Sequence, residues 1–263
     1  MSALRQTKTV LKEAFPSLWL RWHFMHLPKT AEIERSFLKR FIREDAVTVD
    51  VGANCGLYTR ELARLSRCVH AFEPSRQMAD LLRRTSAPNV NIHEVALSDH
   101  SGEAALFIPE GERGLVHGLA SIEPQACQSG KPGRAIAVPT ARLDEVVQDD
   151  VEFVKIDVEG HELSVLNGAN RLLERCQPVF LVEAEDRHRP AATSCVFEFF
   201  RNRNYRGYFV DDGDVLPIEA FDVETFQDVG ALLPDGGRKN GRAYINNFFF
   251  FPMHQDGREI LVG

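Results

Sequence analysis

The 263-residue chain lacks the features that mark several protein classes. No apolar run is long enough to span a membrane, which takes about 20 consecutive residues. The amino terminus carries Arg5, Lys8 and Lys12 but no continuous apolar core or small-residue cleavage site, so we expect no secretory signal. The five cysteines contain no C-x-x-C pair and no regular framework, which is typical of a reducing compartment. These absences predict a cytoplasmic protein without a transmembrane segment.

Basic residues are scarce relative to acidic ones, and the formal net charge is −7. This balance disfavours a general nucleic-acid binder. The first 45 residues differ, because nine Lys/Arg against five Asp/Glu give +4 and leave −11 for the remainder. Trp19, Trp22, Phe24 and Met25 lie in this basic segment. It is interpreted either as a helix packed on the main domain or as a surface that meets a membrane or a partner protein. The sequence sets no oligomeric state.

The G-x-G-x-x-G fingerprint of dinucleotide sites is also absent. Asp50 to Gly56 joins a β-branched run to an amphipathic segment, the strand–turn–helix order of a nucleotide-type cofactor site, but Asn54 stands where the second glycine would fall. The next apolar strand ends at Glu73, whose carboxylate can accept hydrogen bonds from both ribose hydroxyls. This favours a cofactor with adenosine and no phosphate, such as S-adenosylmethionine. The alternative is a packing turn with a solvated Glu73.

Short apolar strands alternate with helices from residue 47 onward, which predicts a mostly parallel sheet with helices on both faces. Strands are predicted at 47–51, 68–72, 90–95, 152–156, 178–183, 205–211 and 245–251, and helices at 57–66, 75–86, 142–148, 161–174 and 190–203. The phenylalanine run at 248–251 is interpreted as a strand buried on both sides. We predict a helical extension over 1–45, with an apolar stripe at Ile33, Phe37, Phe41 and Ile42, and a main domain over 46–263.

Residues 102–140 interrupt this alternation. They contain strand-like pieces at 104–108, 119–122 and 135–138, separated by glycines and a proline. An insertion of this kind at the cofactor end of a sheet is either a lid over the substrate or a variable surface excursion.

A second polar constellation follows the strand at 152–156. Asp157 ends that strand, and Asp157, Glu159 and His161 would project to one side if the chain stayed extended. They are candidates, in that order, for a general base; a substrate clamp or a weak metal site is the alternative. Carboxylates near a helix N-terminus are also favoured without any function. We predict no metal, because D-x-E-x-H is not a recognised ligand spacing.

The next strand ends in two more carboxylates, Glu183 and Glu185, and His188 follows closely. At the working edge of a sheet such groups can bind a hydroxyl-rich acceptor. Alternatively, they cap the next helix or pair with Arg187 and Arg189.

Several motifs together resemble those of FkbM-type methyltransferases, in the same order and over about residues 33–252. They are D-V-G-A-N-C-G at 50–56, F-E-P at 72–74, A-L-S-D at 96–99 followed by S-G-E, G-L-A-S at 118–121, V-K-I-D-V-E-G-H-E at 154–162, L-V-E at 181–183 and N-F-F-F-F at 247–251. The resemblance implies a class I methyltransferase fold, which is Rossmann-like, with a seven-stranded sheet whose last strand is antiparallel. It implies S-adenosyl-L-methionine as methyl donor and O-methylation of a sugar, glycan or polyketide-type hydroxyl.

The resemblance also implies roles for individual residues. Gly52, Asn54 and Gly56 would line the methionine part of the cofactor, and Glu73 the ribose. Asp50, which starts this loop, is also predicted to bind the cofactor. Ala96, Leu97 and Asp99 would line the adenine edge, and Asp157 would sit beside the sulfonium and the acceptor. The resemblance implies nothing about the residues that contact the acceptor, because the family's acceptor contacts vary. Ser121, Glu183 and His188 are predicted to bind it on the residues alone.

Two competing hypotheses use the same sheet. One is a nicotinamide-dependent oxidoreductase, against which the missing glycine fingerprint argues. The other is a non-catalytic cofactor-binding module that anchors a partner through its basic, tryptophan-bearing N-terminus.

Overall fold

A computed structural model describes residues 15, 18, 20, 32–111, 114–123, 132–232 and 244–263. The strands in this part of the chain are β1 Val47–Val51, β2 Cys68–Phe72, β3 Val90–His93, β4 Ala96–Leu97, β5 Gly102–Gly111, β6 Gly114–Leu115, β7 Gly133–Ala141, β8 Val151–Ile156, β9 Val179–Glu183, β10 Tyr205–Asp211, β11 Asp214–Pro217 and β12 Asn247–Pro252. The α-helices are α1 Leu57–Leu65, α2 Arg76–Thr85, α3 Leu143–Val146, α4 Glu162–Asn167, α5 Asn170–Cys176, α6 Ala192–Arg201, α7 Val223–Phe226 and α8 Gly257–Val262.

The main sheet has the strand order β11-β10-β12-β9-β8-β1-β2-β3. Strands β3, β2, β1, β8 and β9 are parallel, and β12 runs antiparallel to both β9 and β10. The predicted α/β class with an antiparallel last strand is therefore confirmed. The order reverses between β1 and β8, and ligands bind beyond the carboxyl ends of the strands at such a point.

The prediction of seven strands was wrong, because β11 adds an eighth to the sheet. It pairs antiparallel with β10 through a two-residue turn, Asp212-Gly213, in which both residues have positive φ angles of 47° and 96°. A two-residue Asp-Gly turn is a strong hairpin signal, because its twist matches that of the flanking strands. The signal was present in the sequence and was missed.

Strand β12 carries the core of the domain. Phe248 to Phe251 are each 0 % exposed, which confirms the strand predicted to be buried on both sides. Phe248 and Phe250 join the apolar cluster on one face of the sheet, and Phe249 and Phe251 join the cluster on the other. The run lacks polar alternation because both faces of this strand are covered.

The segment before β1 packs on the second of these faces. Phe37 and Phe41 make ring contacts with Phe249, and Phe41 also contacts Phe251. The predicted stripe therefore packs on the core, with Phe37 and Ile42 buried and Ile33 and Phe41 half-buried. Over the described residues 32–45 the predicted α-helix does not form, and short 3₁₀ turns at Ile33–Ser36 and Leu38–Arg40 take its place. Trp19, Trp22, Phe24 and Met25 lie outside the described residues. The division at residues 45 and 46 stays a prediction.

The single helix predicted at 161–174 was also wrong, since α4 and α5 are separate. Gly168 lies between them, and a Cβ atom there would come 2.1 Å from the carbonyl oxygen of Ser98. The Asp144 carboxylate accepts hydrogen bonds from the backbone N–H groups of Arg171 and Leu172, each at 2.9 Å. The chain thus breaks where it touches the loop after β4, and an acidic side chain from α3 caps the new helix start.

A second, smaller sheet of order β4-β7-β5-β6 joins β4 to the strands in the described part of the insertion at 102–140. Strands β5 and β7 pair antiparallel from Gly102–Thr140 to Pro109–Gly133. The strand predicted at 119–122 does not form. A 3₁₀ turn occupies His117–Leu119, and Ser121 makes a single β-bridge to Phe107. This sheet stands over the carboxyl ends of β1 and β2. Whether it acts as a lid stays a prediction.

Candidate functional site

A cleft opens at the carboxyl ends of β1, β2 and β8, beneath the inserted sheet. Its lining combines the glycine loop after β1, the end of β2, the segment around β4, the insertion and the loop after β8. The residues are Val51, Gly52, Asn54, Phe72, Glu73, Pro74, Val95, Ala96, Leu97, Leu106, His117, Gly118, Ala120, Ile122, Asp157, Val158, Glu159 and His161. Of the predicted cofactor and catalytic residues, Gly52, Asn54, Glu73, Ala96, Leu97, Asp157, Glu159 and His161 are thus brought together.

The loop after β1 is held tightly at Gly52. The backbone N–H groups of Gly52 and Ala53 both donate to the carbonyl oxygen of Phe72, each at 3.0 Å. Gly52 has φ of 80°, and a Cβ atom there would lie 1.8 Å from the backbone oxygen of Asp157. Only glycine fits, because the loops after β1 and β8 meet backbone to backbone at this point.

Gly56 has a different role from the one predicted. It has φ of 87° and starts α1, with Leu82 as its nearest neighbour, and it does not line the cleft. The left-handed backbone conformation at the residue before α1 explains why position 56 is a glycine, and contact with a ligand does not.

Glu73 is 6 % exposed and fixes the loop from the end of β2. Its two carboxylate oxygens accept from the backbone N–H groups of Asn54 and Ser75, each at 2.8 Å. Burial raises the pKa of Glu73 to about 7, although these two donors oppose the rise. Each oxygen keeps a further acceptor position. A ribose hydroxyl in the cleft can use it.

Apolar side chains form the far end of the cleft. Ala96 and Leu97 face it from β4, and Leu106 and Ile122 face it from the insertion. Apolar surfaces of this kind are suited to a planar ring such as adenine. The third predicted residue of this edge, Asp99, does not line the cleft, because its carboxylate lies 2.6 Å from Nδ1 of His100 and accepts from Ser98.

Asp50 also lies away from the cleft. It is 2 % exposed and accepts a hydrogen bond of 2.5 Å from the Thr59 hydroxyl of α1. Burial raises its pKa to about 6, with Thr59 and Lys155 opposing. The structure places this side chain as support between β1 and α1.

Asp157 follows β8 directly and lines the cleft beside Gly52. Among the described residues none donates a hydrogen bond to its carboxylate, while its backbone N–H donates to Val51 at 2.9 Å. Burial raises the pKa of the Asp157 carboxyl to about 8; Lys155 opposes the rise and Glu159 adds to it. Beside the Gly52 loop, the Asp157 carboxylate can therefore accept hydrogen bonds that none of the described residues donates.

The chain does not stay extended after Asp157, as the alternation argument assumed. Glu159 and Gly160 have positive φ angles of 53° and 106°, so the backbone turns there. Glu159 lies in an ion pair with His188, with Oε2 at 2.7 Å from Nε2. This carboxylate raises the pKa of His188, against the effect of burial.

His161 is engaged at both ring nitrogens. Nδ1 lies 2.5 Å from a carboxylate oxygen of Glu123, and Nε2 lies 3.0 Å from the Ser98 hydroxyl. The predicted substrate residue Ser121 is committed nearby, since its hydroxyl donates to the backbone oxygen of Glu159 at 2.7 Å. Both side chains therefore support the loop after β8 and do not offer free groups to an acceptor.

Lys155 was missed by the sequence analysis, although a lysine inside an apolar strand is a visible anomaly. It is 0 % exposed, and its Nζ donates to Asn247 at 2.9 Å and lies 3.8 Å from Glu183. Burial alone would lower the pKa of Lys155, but the carboxylates of Asp157 and Glu183 raise it. The ammonium thus offsets the carboxylates of Asp50 on β1, Asp157 just after β8 and Glu183 on β9.

Glu183 and Glu185 belong to a network beside the cleft and not to its lining. Asn246 donates to Glu183 at 2.5 Å and to Glu185 at 2.8 Å. Glu185 also accepts from Arg187 and from the Tyr244 hydroxyl, so the pairing with Arg187 that was weighed as an alternative is present. His188 reaches the cleft only through Glu159.

The comparisons with known proteins agree with this arrangement. The family model for the methyltransferase FkbM domain matches the sequence of this chain over residues 50–207, which include the glycine loop, Glu73 and Asp157. The chain belongs to the FkbM methyltransferase family. The family's cofactor is S-adenosyl-L-methionine.

The FkbM chain has relatives of two kinds among characterised proteins. It is 29 % identical over 160 residues to the hexuronic acid methyltransferase AglP of Haloferax volcanii, covering 58 % of this chain and 62 % of that one. It is 42 % identical over 69 residues to an rRNA methyltransferase of Streptomyces thermotolerans, covering 24 % and 23 %. The chain thus spans less than two thirds of the length of these relatives.

Among solved structures, the methyltransferase FkbM of Methylobacillus flagellatus KT superposes with a TM-score of 0.51 at 16 % identity. The match covers 80 % of this chain and 44 % of that one, and it shows the fold alone.

The residues of the cleft fit the family's cofactor. The Gly52 loop leaves no room for a side chain, Glu73 offers acceptors for a ribose, and the β4 segment offers an apolar slot. Within the described ranges no group of three or more His, Cys, Asp or Glu side chains is arranged to hold a metal ion. In the same ranges no helix is long and apolar enough to cross a membrane.

Proposed function

We propose that this FkbM methyltransferase transfers the methyl group of S-adenosylmethionine to a hydroxyl of a sugar, glycan or polyketide-type small molecule. The observation that supports it is the Asp157 carboxylate, which lines the cleft beside Gly52 and accepts no hydrogen bond from the described residues. A carboxylate in this position is suited to accept the proton of a hydroxyl as that oxygen is methylated.

The roles of the neighbouring residues follow from their partners. S-adenosylmethionine supplies an electrophilic methyl group when bound. Glu73 and the backbone around Gly52 hold and orient the cofactor. Asp157 takes the acceptor's proton on a carboxylate oxygen, a role that needs the ionised form. Glu159 and His161 were the other candidate bases, but Glu159 is paired with His188 and His161 is bound at both nitrogens.

The proposed acceptor class rests on charge as well as on the relatives' names. AglP is named for a sugar acid, which supports a sugar-like acceptor. The other relative is named for rRNA, but its match covers 24 % of this chain. The net charge of −7 disfavours binding of a long phosphate backbone. A sugar-like acceptor is therefore favoured over RNA.

The competing hypotheses receive less support. A nicotinamide oxidoreductase would need a loop that cradles a pyrophosphate, and Asn54 occupies the position of the required glycine. A partner-binding module anchored by residues 1–30 would be an additional role, since Asn54, Glu73 and the Gly52 backbone still line the cleft as candidate cofactor groups.

The test has a binding step and a transfer step. Calorimetric titration with S-adenosylhomocysteine and with NADH comes first, on wild type and Glu73→Ala. We expect micromolar binding of S-adenosylhomocysteine alone, about −8 kcal/mol, weakened by the substitution. Tritiated S-adenosylmethionine is then offered with neutral oligosaccharides, hexuronic acids and total rRNA as acceptors.

The variant Asp157→Asn separates the proposed base from the fold. We expect unchanged S-adenosylhomocysteine binding and a turnover at least 100-fold lower, because general bases contribute about that much. Asp214→Asn, an exposed aspartate on β11 at the sheet's edge, is the matched control. Turnover of Asp157→Asn within tenfold of wild type would exclude Asp157 as the base, and transfer to rRNA alone would refute the acceptor class.

A further inference from the structure

We infer that residues 117–123, here called the strap, cross the cofactor cleft and control the release of the cofactor. The imidazoles of His117 and His161 hold the two ends of the strap and thereby position the cofactor. The inference rests on the cofactor site of the proposed function but not on the identity of the acceptor.

The first fastening lies on the Glu73 side of the cleft. Nδ1 of His117 lies 3.1 Å from the Ser75 hydroxyl, and its Nε2 lies 3.1 Å from the side-chain oxygen of Gln77. Ser75 also donates its backbone N–H to Glu73 at 2.8 Å. His117 is therefore tied to the same turn that holds the carboxylate assigned to the ribose.

The second fastening lies on the Asp157 side. Glu123, at the other end of the strap, reaches Nδ1 of His161 at 2.5 Å, and the Ser121 hydroxyl donates to the backbone oxygen of Glu159 at 2.7 Å. His161 is held in turn by Ser98 at 3.0 Å. One imidazole thus joins three parts of the chain: the insertion, the segment after β4 and the loop after β8. With both nitrogens engaged, His161 is a positioning residue.

The middle of the strap covers the cleft. His117, Gly118, Ala120 and Ile122 all line it, opposite the glycine loop and β4. A Cβ atom at Gly118 would lie 3.3 Å from the side-chain nitrogen of Asn54, so the strap touches the glycine loop directly. A ligand seated on the loop is enclosed between it and the strap.

The strap is attached to the inserted sheet by backbone and to the cleft by side chains. Ser121 and Phe107 exchange two backbone hydrogen bonds of 2.8 and 3.0 Å, which tie the strap to β5. The fastenings to the cleft's rims are the side-chain contacts of His117, Ser121 and Glu123. Breaking them lets the strap lift while the pairing of the main sheet stays intact.

The test measures how fast S-adenosylhomocysteine leaves the protein, by surface plasmon resonance. Glu123→Gln weakens the charge-assisted hydrogen bond to His161, and His117→Ala removes the fastening at the other end. We expect each to accelerate release about tenfold, and the double variant to accelerate it about a hundredfold, because both ends hold the same strap. Matched controls are Glu152→Gln, which loses a carboxylate paired with Arg43 at the start of β8, and the exposed His254→Ala.

Hydrogen exchange supplies a readout independent of activity. The backbone amides of Ala120 and Ser121 donate to His117 and to Phe107 of β5. We expect S-adenosylhomocysteine to slow their exchange in wild type and less so in the double variant. Release rates of both single variants within threefold of the controls would overturn the strap. Failure of wild type to bind S-adenosylhomocysteine at all would refute the proposed function itself. Should Glu123→Gln not fold, His117→Ala alone still decides.

Discussion

Replacing Lys155 by methionine should strongly destabilise this member of the FkbM family, and the loss of stability should depend on pH. The side chain is wholly buried, and its ammonium contacts Asn247 and lies 3.8 Å from Glu183. Methionine has a similar volume, so packing is largely kept while the cation is lost. The variant therefore isolates the electrostatic contribution of a single buried cation among carboxylates.

The magnitude follows from the distance. When both groups are ionised, two unit charges 3.8 Å apart at an effective dielectric constant of about 20 attract each other by about 4 kcal/mol. Removing one partner of a buried pair typically costs about 3–5 kcal/mol, because the remaining charge is left uncompensated. With a urea m-value of about 3 kcal/mol/M, the unfolding midpoint should fall by about 1 M.

The pH dependence has a definite sign. Burial holds the pKa of Glu183 well above its usual range, and Lys155 opposes this, so the variant's pKa lies higher still. The folded variant then retains a proton that the unfolded chain releases above about pH 4.3. The penalty is accordingly small in acid and grows as pH rises through the folded pKa.

Urea unfolding at pH 5.5 and pH 8.5 measures both effects. The exposed Lys39→Met is the matched control and should lie within about 0.5 kcal/mol of wild type. The double variant Lys155→Met/Glu183→Gln should recover part of the loss, since the uncompensated charge is gone. A loss below about 1 kcal/mol, or one of equal size at the two pH values, would refute the reasoning.

The remaining predictions concern the cofactor cleft and its support. Gly52→Ala should abolish S-adenosylhomocysteine binding and lower the melting temperature, because its Cβ would lie 1.8 Å from a carbonyl oxygen. The control Gly213→Ala is also at positive φ but has nothing within 4 Å, so it should keep binding and lose only about 1–2 kcal/mol of stability to backbone strain. Calorimetry should show the affinity for S-adenosylhomocysteine falling about tenfold from pH 8 to pH 6, because Glu73 has a pKa of about 7 and becomes protonated. Glu73→Gln should remove this pH dependence. Gly168→Ala should cost about 1–3 kcal/mol in urea unfolding, because its Cβ would lie 2.1 Å from a backbone oxygen; no change would mean that the loop after β4 yields freely.

Much of the fold could be predicted because the hydrophobic pattern and the topology of parallel sheets constrain each other. The ranges of β1, β2 and β10 match the predicted strands in full, since each is a short apolar run bounded by turn residues. Errors arose where a tertiary contact decided the outcome. The break at Gly168 depends on the carbonyl of Ser98, which is distant in sequence, and no local pattern indicates it.

The position of the candidate site was predictable for the same reason. Glu73 and Asp157 end strands that flank β1, and parallel strands bring their carboxyl ends to one edge. The glycine loop could likewise be placed beside them. The strap could not, because neither His117 nor Glu123 belongs to a regular element whose pairing the sequence pattern fixes.

The choice of general base illustrates what position alone leaves open. The sequence analysis ranked Asp157, Glu159 and His161 in that order as candidate bases, and all three line the cleft. Their hydrogen-bond partners distinguish them: His188 engages Glu159, while Glu123 and Ser98 occupy the two nitrogens of His161. A group already engaged must give up a partner before it can accept a proton, and Asp157 has no donor to lose. These partners come from the segment after β4, from the insertion and from the loop after β9. The assignment of the base therefore depends on all the elements that meet at this edge of the sheet, and not only on the motif that contains the three candidates.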